Sequence, residues 1–468
     1  MSGSFDRYGT IQGSSQGSSQ GVAHSASQGA AQESEMSDAN EVATVSGTPN
    51  WNPRELTGEY TGAELKRRSV DLPFLALTLL ILMIGIIMVL SASFARGYYT
   101  SGEPMRVFTR QLVFAVSGVA IMLIVSRFSI KTMSRWAYLL LALSIFLLVI
   151  VIFIGIKVNG AKRWLGFEGE GGSFSFQPSE VAKLAIIMSF AKWICDKGRT
   201  KIRSFKSGVA PFAVVTAIIV WLLMKEPHIS ASIIIIILAA IMMFAGGVRL
   251  RWFVLAALAV AAVICFLILG NLRDYTHEER PQSISEQLSQ VQWGSGRLGY
   301  ADRRIDAWLD PEADPLDGGF QIRQSLYAVG SGGLLGQGLG QSKQKYLYLS
   351  EEHNDYIFAI VCEELGFIGA MLILMLFALL VIRGFWLALH AKDRYSALVT
   401  TGITSLLAIQ VFLNVAVVTN LLPATGVSLP FFSYGGTALW IQLFQMGIIL
   451  AVSRDIPQSP LIAGVKNA

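Results

Sequence analysis

Four short stretches of this chain concentrate the residue types that chemistry needs. The densest is Asp310-Pro311-Glu312-Ala313-Asp314-Pro315-Leu316-Asp317-Gly318-Gly319-Phe320-Gln321, with four acids in eight residues and two of them directly before proline. Proline fixes its own backbone and restricts the residue before it, so this reads as a stiff turn with its carboxylates outward. Such a carboxylate can take a proton from a sugar hydroxyl or hold a divalent cation such as Mg or Mn. A solvated turn has the same composition, since Asp commonly opens one. In Gln177-Pro178-Ser179-Glu180-Val181-Ala182-Lys183 a helix starts, with Glu180 and Lys183 three apart on one face. Ionisable groups at the edge of an apolar span are costly and point to function. Capping accounts for Ser179 and Glu180 but leaves Lys183 unexplained.

The third stretch, Lys162-Arg163-Trp164, pairs an ammonium and a guanidinium, which suits a phosphate or pyrophosphate. Anchoring of Trp164 at headgroup level is the competing reading. In the fourth, Lys343 and Lys345 follow the glycine-rich run 330–340, whose spacing is not that of a P-loop. A flexible loop closing over a lipid-linked substrate fits it better than a nucleotide site. His353-Asn354-Asp355 offers two metal-ligand types, too few for a metal site. Glu363-Glu364 needs partners, because paired acids inside an apolar span are costly.

The elements that position these residues are membrane spans. Of 468 residues 53% are hydrophobic and 15% charged, with a mean hydropathy of +0.52. Soluble proteins carry about 25% charged residues. A soluble enzyme, a disulfide scaffold and a nucleic-acid binder are excluded. The three cysteines, Cys195, Cys265 and Cys362, show neither disulfide nor zinc spacing. Apolar runs of about 20 residues, enough to cross a bilayer, fall at 71–93, 109–126, 136–156, 179–195, 208–224, 229–247, 252–270, 355–382, 396–421 and 435–453. Lys66, Arg67 and Arg68, then Arg127, Lys131 and Arg135, then Lys197 to Lys206, Arg249 and Arg251, Arg383 to Arg394, and Arg454 lie on one side of ten spans. The positive-inside rule makes that side, and both termini, cytoplasmic. The expected fold is an all-α polytopic membrane protein with ten transmembrane helices and one large extracellular loop, 271–354, between helices 7 and 8.

Residues 1–65 are rich in Ser, Gln and Gly, cannot bury a core, and are expected to be a disordered cytoplasmic tail. They lack the apolar core of a cleavable signal peptide, so the first span is expected to direct insertion. Residues 66–456 make the membrane domain, and 457–468 a second cytoplasmic tail.

The ordered blocks Gly160-Ala161-Lys162-Arg163-Trp164, Gln177 to Lys183, Asp314-Pro315 with Gly319-Phe320-Gln321, Gly336-Gln337-Gly338, Asp355-Tyr356-Ile357-Phe358-Ala359, Glu363-Glu364-Leu365-Gly366 and Leu429-Pro430-Phe431-Phe432-Ser433-Tyr434-Gly435-Gly436 resemble the SEDS family (shape, elongation, division and sporulation). The stretches 422–426 and 431–436 look more like its division branch, then its sporulation branch, than its elongation branch. The resemblance implies a peptidoglycan glycosyltransferase that polymerises lipid II on the outer face of the bacterial cell membrane at the septum. It implies a class B penicillin-binding protein as partner, with other division proteins. The essential loop aspartate of the family falls on Asp314, and its membrane-edge pair on Glu180 and Lys183.

On this reading Asp314 is the catalytic base for the acceptor hydroxyl. Lys162, Arg163 and Lys183 neutralise the departing pyrophosphate, with or without a divalent cation. Trp164, Glu180, Gln321, Lys343 and Lys345 complete the substrate-binding set, and no metal ligands are assigned. The rival is a lipid II transporter, which should carry its polar residues and broken helices near the bilayer midplane rather than at the outer edge. Two departures from the family stand out. Pro227-His228-Ile229-Ser230 replaces a common Pro-Asp-Leu-Gly, so no acidic role is carried to His228, and Asn420 stands where glycine is common, a matter of backbone shape.

Overall fold

The computed structural model describes residues 69–158, 161–167, 174–226, 228–258, 299–312, 318–346, 348–349 and 352–456. Both tails, residues 271–298 of the outer loop, and 313–317 with Asp314 lie outside the described residues.

Long runs of Leu, Ile and Val without charge make the helices α1 (Leu72–Ser101), α2 (Arg106–Val125) and α3 (Ile130–Ile154). The side chain of Asp71 caps α1 by accepting from the Phe74 amide at 2.9 Å. Helix α4 (Pro178–Ile202) follows, then a π-turn (Phe205–Val209) leading into α5 (Ala210–Lys225), and α6 (Ile229–Ala245). Residues 250–258 are also helical. Two further helices, α7 (Gly299–Leu309) and α8 (Gly318–Ser331), precede α9 (Ile357–Leu389), α10 (Arg394–Val418) and α11 (Gly436–Arg454).

Seven segments among the described residues are long and apolar enough to cross a membrane: α1, α2, α3, the π-turn with α5, α9, α10 and α11. The chain is therefore a mostly helical polytopic membrane protein. Three other stretches lie where the apolar pattern put spans. They are α4, which is charged towards both ends, the 17-residue α6, and residues 250–258. Helices α10 and α11 are buried along most of their length, whereas α2 and α3 turn residues such as Val113, Val116, Phe146 and Phe153 outward. That inverted surface suits a lipid surround.

Two expectations need correction. The fold is not all-α: β1 (Ile156–Val158), β2 (Ala161–Phe167) and β3 (Phe174–Phe176) form an antiparallel sheet in the order β1-β2-β3. Branched and aromatic residues (Ile156, Val158, Trp164, Phe176) favour strands there, and the runs are too short to signal themselves. Nor is the stretch 271–354 loop throughout, since α7 and α8 lie within it. Ile322, Ser325 and Ala328 of α8 are buried at a spacing of three, a helical face diluted by polar neighbours.

Helix α9 is broken at Gly366 (φ 67°), and the glycine-rich segment fills the break. Gln337 and Gly338 amides donate to the Glu363 and Glu364 carbonyls at 2.9 and 3.0 Å, while Phe367 and Ile368 amides donate to Gly333 and Leu334 at 2.9 and 3.1 Å. A Cβ on Gly336 would stand 2.2 Å from the Glu364 carbonyl oxygen, so only glycine permits this approach. The glycines serve backbone docking rather than a phosphate cradle.

Candidate functional site

Three elements converge on one buried polar cluster: strand β2, the start of α4, and the turn between α5 and α6. In the β1–β2 ladder Ile156 pairs with Trp164 and Lys157 with Lys162, so Arg163 is the extra residue of a β-bulge. Bulges re-aim side chains and gather beside functional sites. The Arg163 charge acts on both Glu226 and His228, and Lys183 acts on His228. Lys183 donates to Glu180 at 2.6 Å in a nearly fully buried ion pair one turn into α4.

Glu226 ends α5 and His228 begins α6. They are only 1% and 7% exposed, and among the described residues neither Glu226 oxygen, nor His228 Nδ1, nor Ser179 Oγ has a hydrogen-bond partner. Burial pushes the Glu226 carboxyl up to about 8, with Arg163 opposing. Burial first, then Arg163 and Lys183, holds the His228 imidazole well below its usual range. Near neutral pH the cluster thus has two cations, one paired carboxylate, an uncharged carboxyl and an uncharged imidazole. That balance, with unused hydrogen-bonding capacity, suits an anionic group.

The other expected residues divide. Lys162, next to the bulge, donates to the Phe153 carbonyl at 3.2 Å, at the C-terminal end of α3. Trp164 and Gln321 are half-buried on β2 and α8. The Lys343 side chain is exposed, while Lys345 is buried and donates to Glu364 at 2.9 Å. That pairing makes Lys345 an anchor of its loop. Ser179 does not cap α4, where the N-cap residue is Gln177. Sequence reasoning missed Glu226. Its signal was a run of ionisable residues, Lys225-Glu226-Pro227-His228, between two apolar spans.

The segments flanking 313–317 are anchored on the end of α10. In α7, Arg304 donates to the Ala424 carbonyl at 2.6 Å and Trp308 Nε1 to the Asn420 carbonyl at 3.0 Å, and in α8 Ser325 donates to the Val418 carbonyl at 2.9 Å. Asn420 has φ 56°, a left-handed geometry that Asn tolerates. Asp310 accepts from the Glu312 amide at 3.1 Å, opening the acidic turn. Residues 429–437 tie the remaining elements together: Ser433 Oγ donates to the Asn354 carbonyl at 2.7 Å, the Tyr434 amide to His353 at 2.9 Å, and Thr437 to Ser175 of the sheet at 3.0 Å.

Comparison with known proteins gives a consistent result. The pattern of the cell cycle protein family that groups FtsW, RodA and SpoVE matches residues 72–457. Stage V sporulation protein E of Bacillus subtilis is 40% identical over 83% of this chain and 98% of its own length. A probable peptidoglycan glycosyltransferase FtsW of Trichlorobacter lovleyi is 38% identical over 84% of this chain and 95% of its own. Among solved structures, a chain of a peptidoglycan synthase complex that coordinates polymerisation and crosslinking superimposes with TM-score 0.65 at 26% identity, covering 83% of this chain and 99% of that one. Thermus thermophilus RodA gives TM-score 0.57 at 25% identity, covering 83% and 98%. The chain belongs to the cell cycle protein family of FtsW, RodA and SpoVE.

Proposed function

We propose that this chain is a peptidoglycan glycosyltransferase that polymerises lipid II into glycan strands at the outer face of the cell membrane. The observation that carries the reading is the buried cluster around Arg163 and Lys183, whose unused polar atoms and cationic balance fit a pyrophosphate. Relatives with the peptidoglycan glycosyltransferase name, matched over 95–96% of their own length, support it.

As the C1–O bond of the donor sugar breaks, its electron pair stays on the departing pyrophosphate, which gains negative charge. Arg163 and Lys183 stabilise that charge, with Glu180 orienting Lys183, and Lys162, Trp164, Gln321 and Lys343 bordering the substrate. Asp314 takes the proton from the acceptor hydroxyl, a contribution of about 100- to 10,000-fold for a positioned base. A single displacement inverts the donor, α-linked pyrophosphate to β-1,4 glycan. The chain crosses the membrane ten times with both termini cytoplasmic. Residues 66–456 are the membrane domain, 271–354 its large outer loop, 457–468 a cytoplasmic tail, and the tail 1–65 a cytoplasmic tether to other division proteins. A class B penicillin-binding protein supplies crosslinking, and the site of action is the septum.

The broken helix α9 is the feature that favours a transporter. Its open backbone groups, however, are taken up by residues 333–338, which leaves no helix end for a cargo. Polymerisation of labelled lipid II by the purified chain, alone and with its transpeptidase, tests the proposal beside Asp314→Asn. Glycan from the wild type and none from a normally inserted variant is expected. Absence of glycan under every condition, with lipid II crossing a proteoliposome bilayer, would transfer the function to transport.

A further inference from the structure

We propose that an open groove between α8 and the loop after it binds the growing glycan strand through a platform of tyrosine rings. This rests on the polymerase reading and assigns the path of its product. The groove, about 570 Å³, is lined by Gln324 and Tyr327 of α8 and by Lys343, Gln344, Tyr346 and Tyr348 of the loop. Tyr327, Tyr346 and Tyr348 are 59%, 49% and 56% exposed. At the end of α1, Tyr99 meets Tyr346 edge-on at 6.4 Å and Tyr98 at 5.4 Å, extending the aromatic surface beyond the groove.

Chemistry selects the occupant. Among the described residues every lining side chain carries a hydrogen-bonding group and none is aliphatic. A pyranose has apolar C–H faces and hydroxyl edges. Tyrosine rings match the former, while phenol hydroxyls and glutamine amides match the latter. A lipid tail would leave the amides and Lys343 without partners. The lipid-like surface of the same region is elsewhere, at the strongly exposed Leu334, Leu335 and Leu339. One lysine is too little charge for a polyanion, but enough to meet a carboxylate borne by the strand.

The groove is also preorganised. The Lys343 and Gln344 amides donate to Glu363 at 2.9 and 3.4 Å, and Lys345 is held by Glu364 at 2.9 Å. Binding therefore need not order the loop, a cost that otherwise weakens recognition. Tyrosines at a bilayer surface can also be interfacial anchors. Anchors need no concave wall of amides, and the experiment separates the two roles.

The full-length protein with its transpeptidase, in nanodiscs, is exposed to a soluble β-1,4-linked N-acetylglucosamine hexamer carrying a photo-crosslinker, a probe with neither lipid nor pyrophosphate. Crosslinks are expected within residues 324–348. Tyr327→Ala with Tyr346→Ala should weaken hexamer binding roughly three- to tenfold, the scale of lost ring contacts, and shorten the glycan made from lipid II. Tyr327→Phe with Tyr346→Phe keeps the rings and should restore most of both. Crosslinks outside 324–348, or unchanged affinity and chain length in the alanine variant, would overturn the groove. If the alanine variant does not fold, the wild-type crosslinks decide alone. A wild type that takes up the hexamer in the groove but makes no glycan would keep this site and remove the polymerase reading.

Discussion

Two buried polar clusters in this molecule have similar compositions and opposite bookkeeping of hydrogen bonds. In the first, Glu364 accepts from Ser91 at 2.7 Å, Lys345 at 2.9 Å and the Ser342 amide at 3.4 Å. Its neighbour Glu363 accepts from Ser342 Oγ and from the Lys343 and Gln344 amides at 2.9 and 3.4 Å. Both carboxylates are saturated, Glu363 by the loop alone and Glu364 by the loop together with Ser91 of α1. In the second, Glu226, His228 and Ser179 keep atoms that no described residue meets, beside Arg163 and the Lys183–Glu180 pair. Buried polar groups are normally satisfied, so a group of exceptions asks for a ligand. Burial and charge alone do not separate an anchor from a site; unused capacity does.

The sharpest way to break this comparison is Glu364→Ala. It strands the Lys345 ammonium in a fully buried setting and should destabilise the protein by about 3–5 kcal/mol. Thermal unfolding of the purified protein measures it, and Lys345→Met added to that variant should recover much of the loss. Arg163→Gln is the counterpart in the other cluster. It leaves a half-exposed position and a neutral neighbour, so folding should change far less than in Glu364→Ala. Polymerisation should fall about 100- to 1,000-fold, the usual effect of losing one donor to developing charge. Equal losses of folding in the two variants would erase the distinction. A smaller effect is expected from Gly336→Ala, where a left-handed backbone (φ 81°) and the Glu364 carbonyl leave no room for a Cβ. It should cost more than about 1 kcal/mol and loosen the loop that saturates the first cluster, read as faster amide exchange at Gln337 and Gly338.

How much of this was legible in the sequence follows from the range of each interaction. Apolar runs identify helices such as α1, α9 and α10 because each run is a local property. Glu180 and Lys183 are legible for the same reason, being one helical turn apart. Lys345 is not, because its partner Glu364 lies 19 residues away across a broken helix. Spacing alone offered a substrate contact where the structure has an ion pair. The sheet at 156–176 escaped notice because β1 and β3 are three residues long and the seven-residue β2, Ala-Lys-Arg-Trp-Leu-Gly-Phe, lacks a clean apolar alternation. Arg163 was visible as a cation, but its bulge depends on a register set by β1. Glu226 is not legible either, since its burial belongs to the junction of α5 and α6.

That burial makes the last prediction, which also sharpens the contrast most directly. The folded Glu226 carboxyl is raised from its ordinary 4.5 to about 8, by burial against the opposing pull of Arg163. Between those values the folded chain holds a proton that the unfolded chain has released. Stability present at low pH is therefore lost as pH rises from about 4.5 towards 8, by at most about 1.4 kcal/mol per pH unit. Glu226→Gln removes this slope and should be more stable than the wild type near pH 8, as read from unfolding temperatures across that range. Arg163→Gln should extend the wild-type slope upward, because the cation that lowers the carboxyl is gone. His228 acts in the opposite sense: burial keeps it neutral when the unfolded imidazole protonates, so its cost appears as pH falls below about 6.5. His228→Asn should flatten only that acid limb. A wild type and a Glu226→Gln variant with superimposable pH profiles would mean that Glu226 is solvated like a surface carboxylate, and the second cluster would then have no unused capacity to offer a ligand.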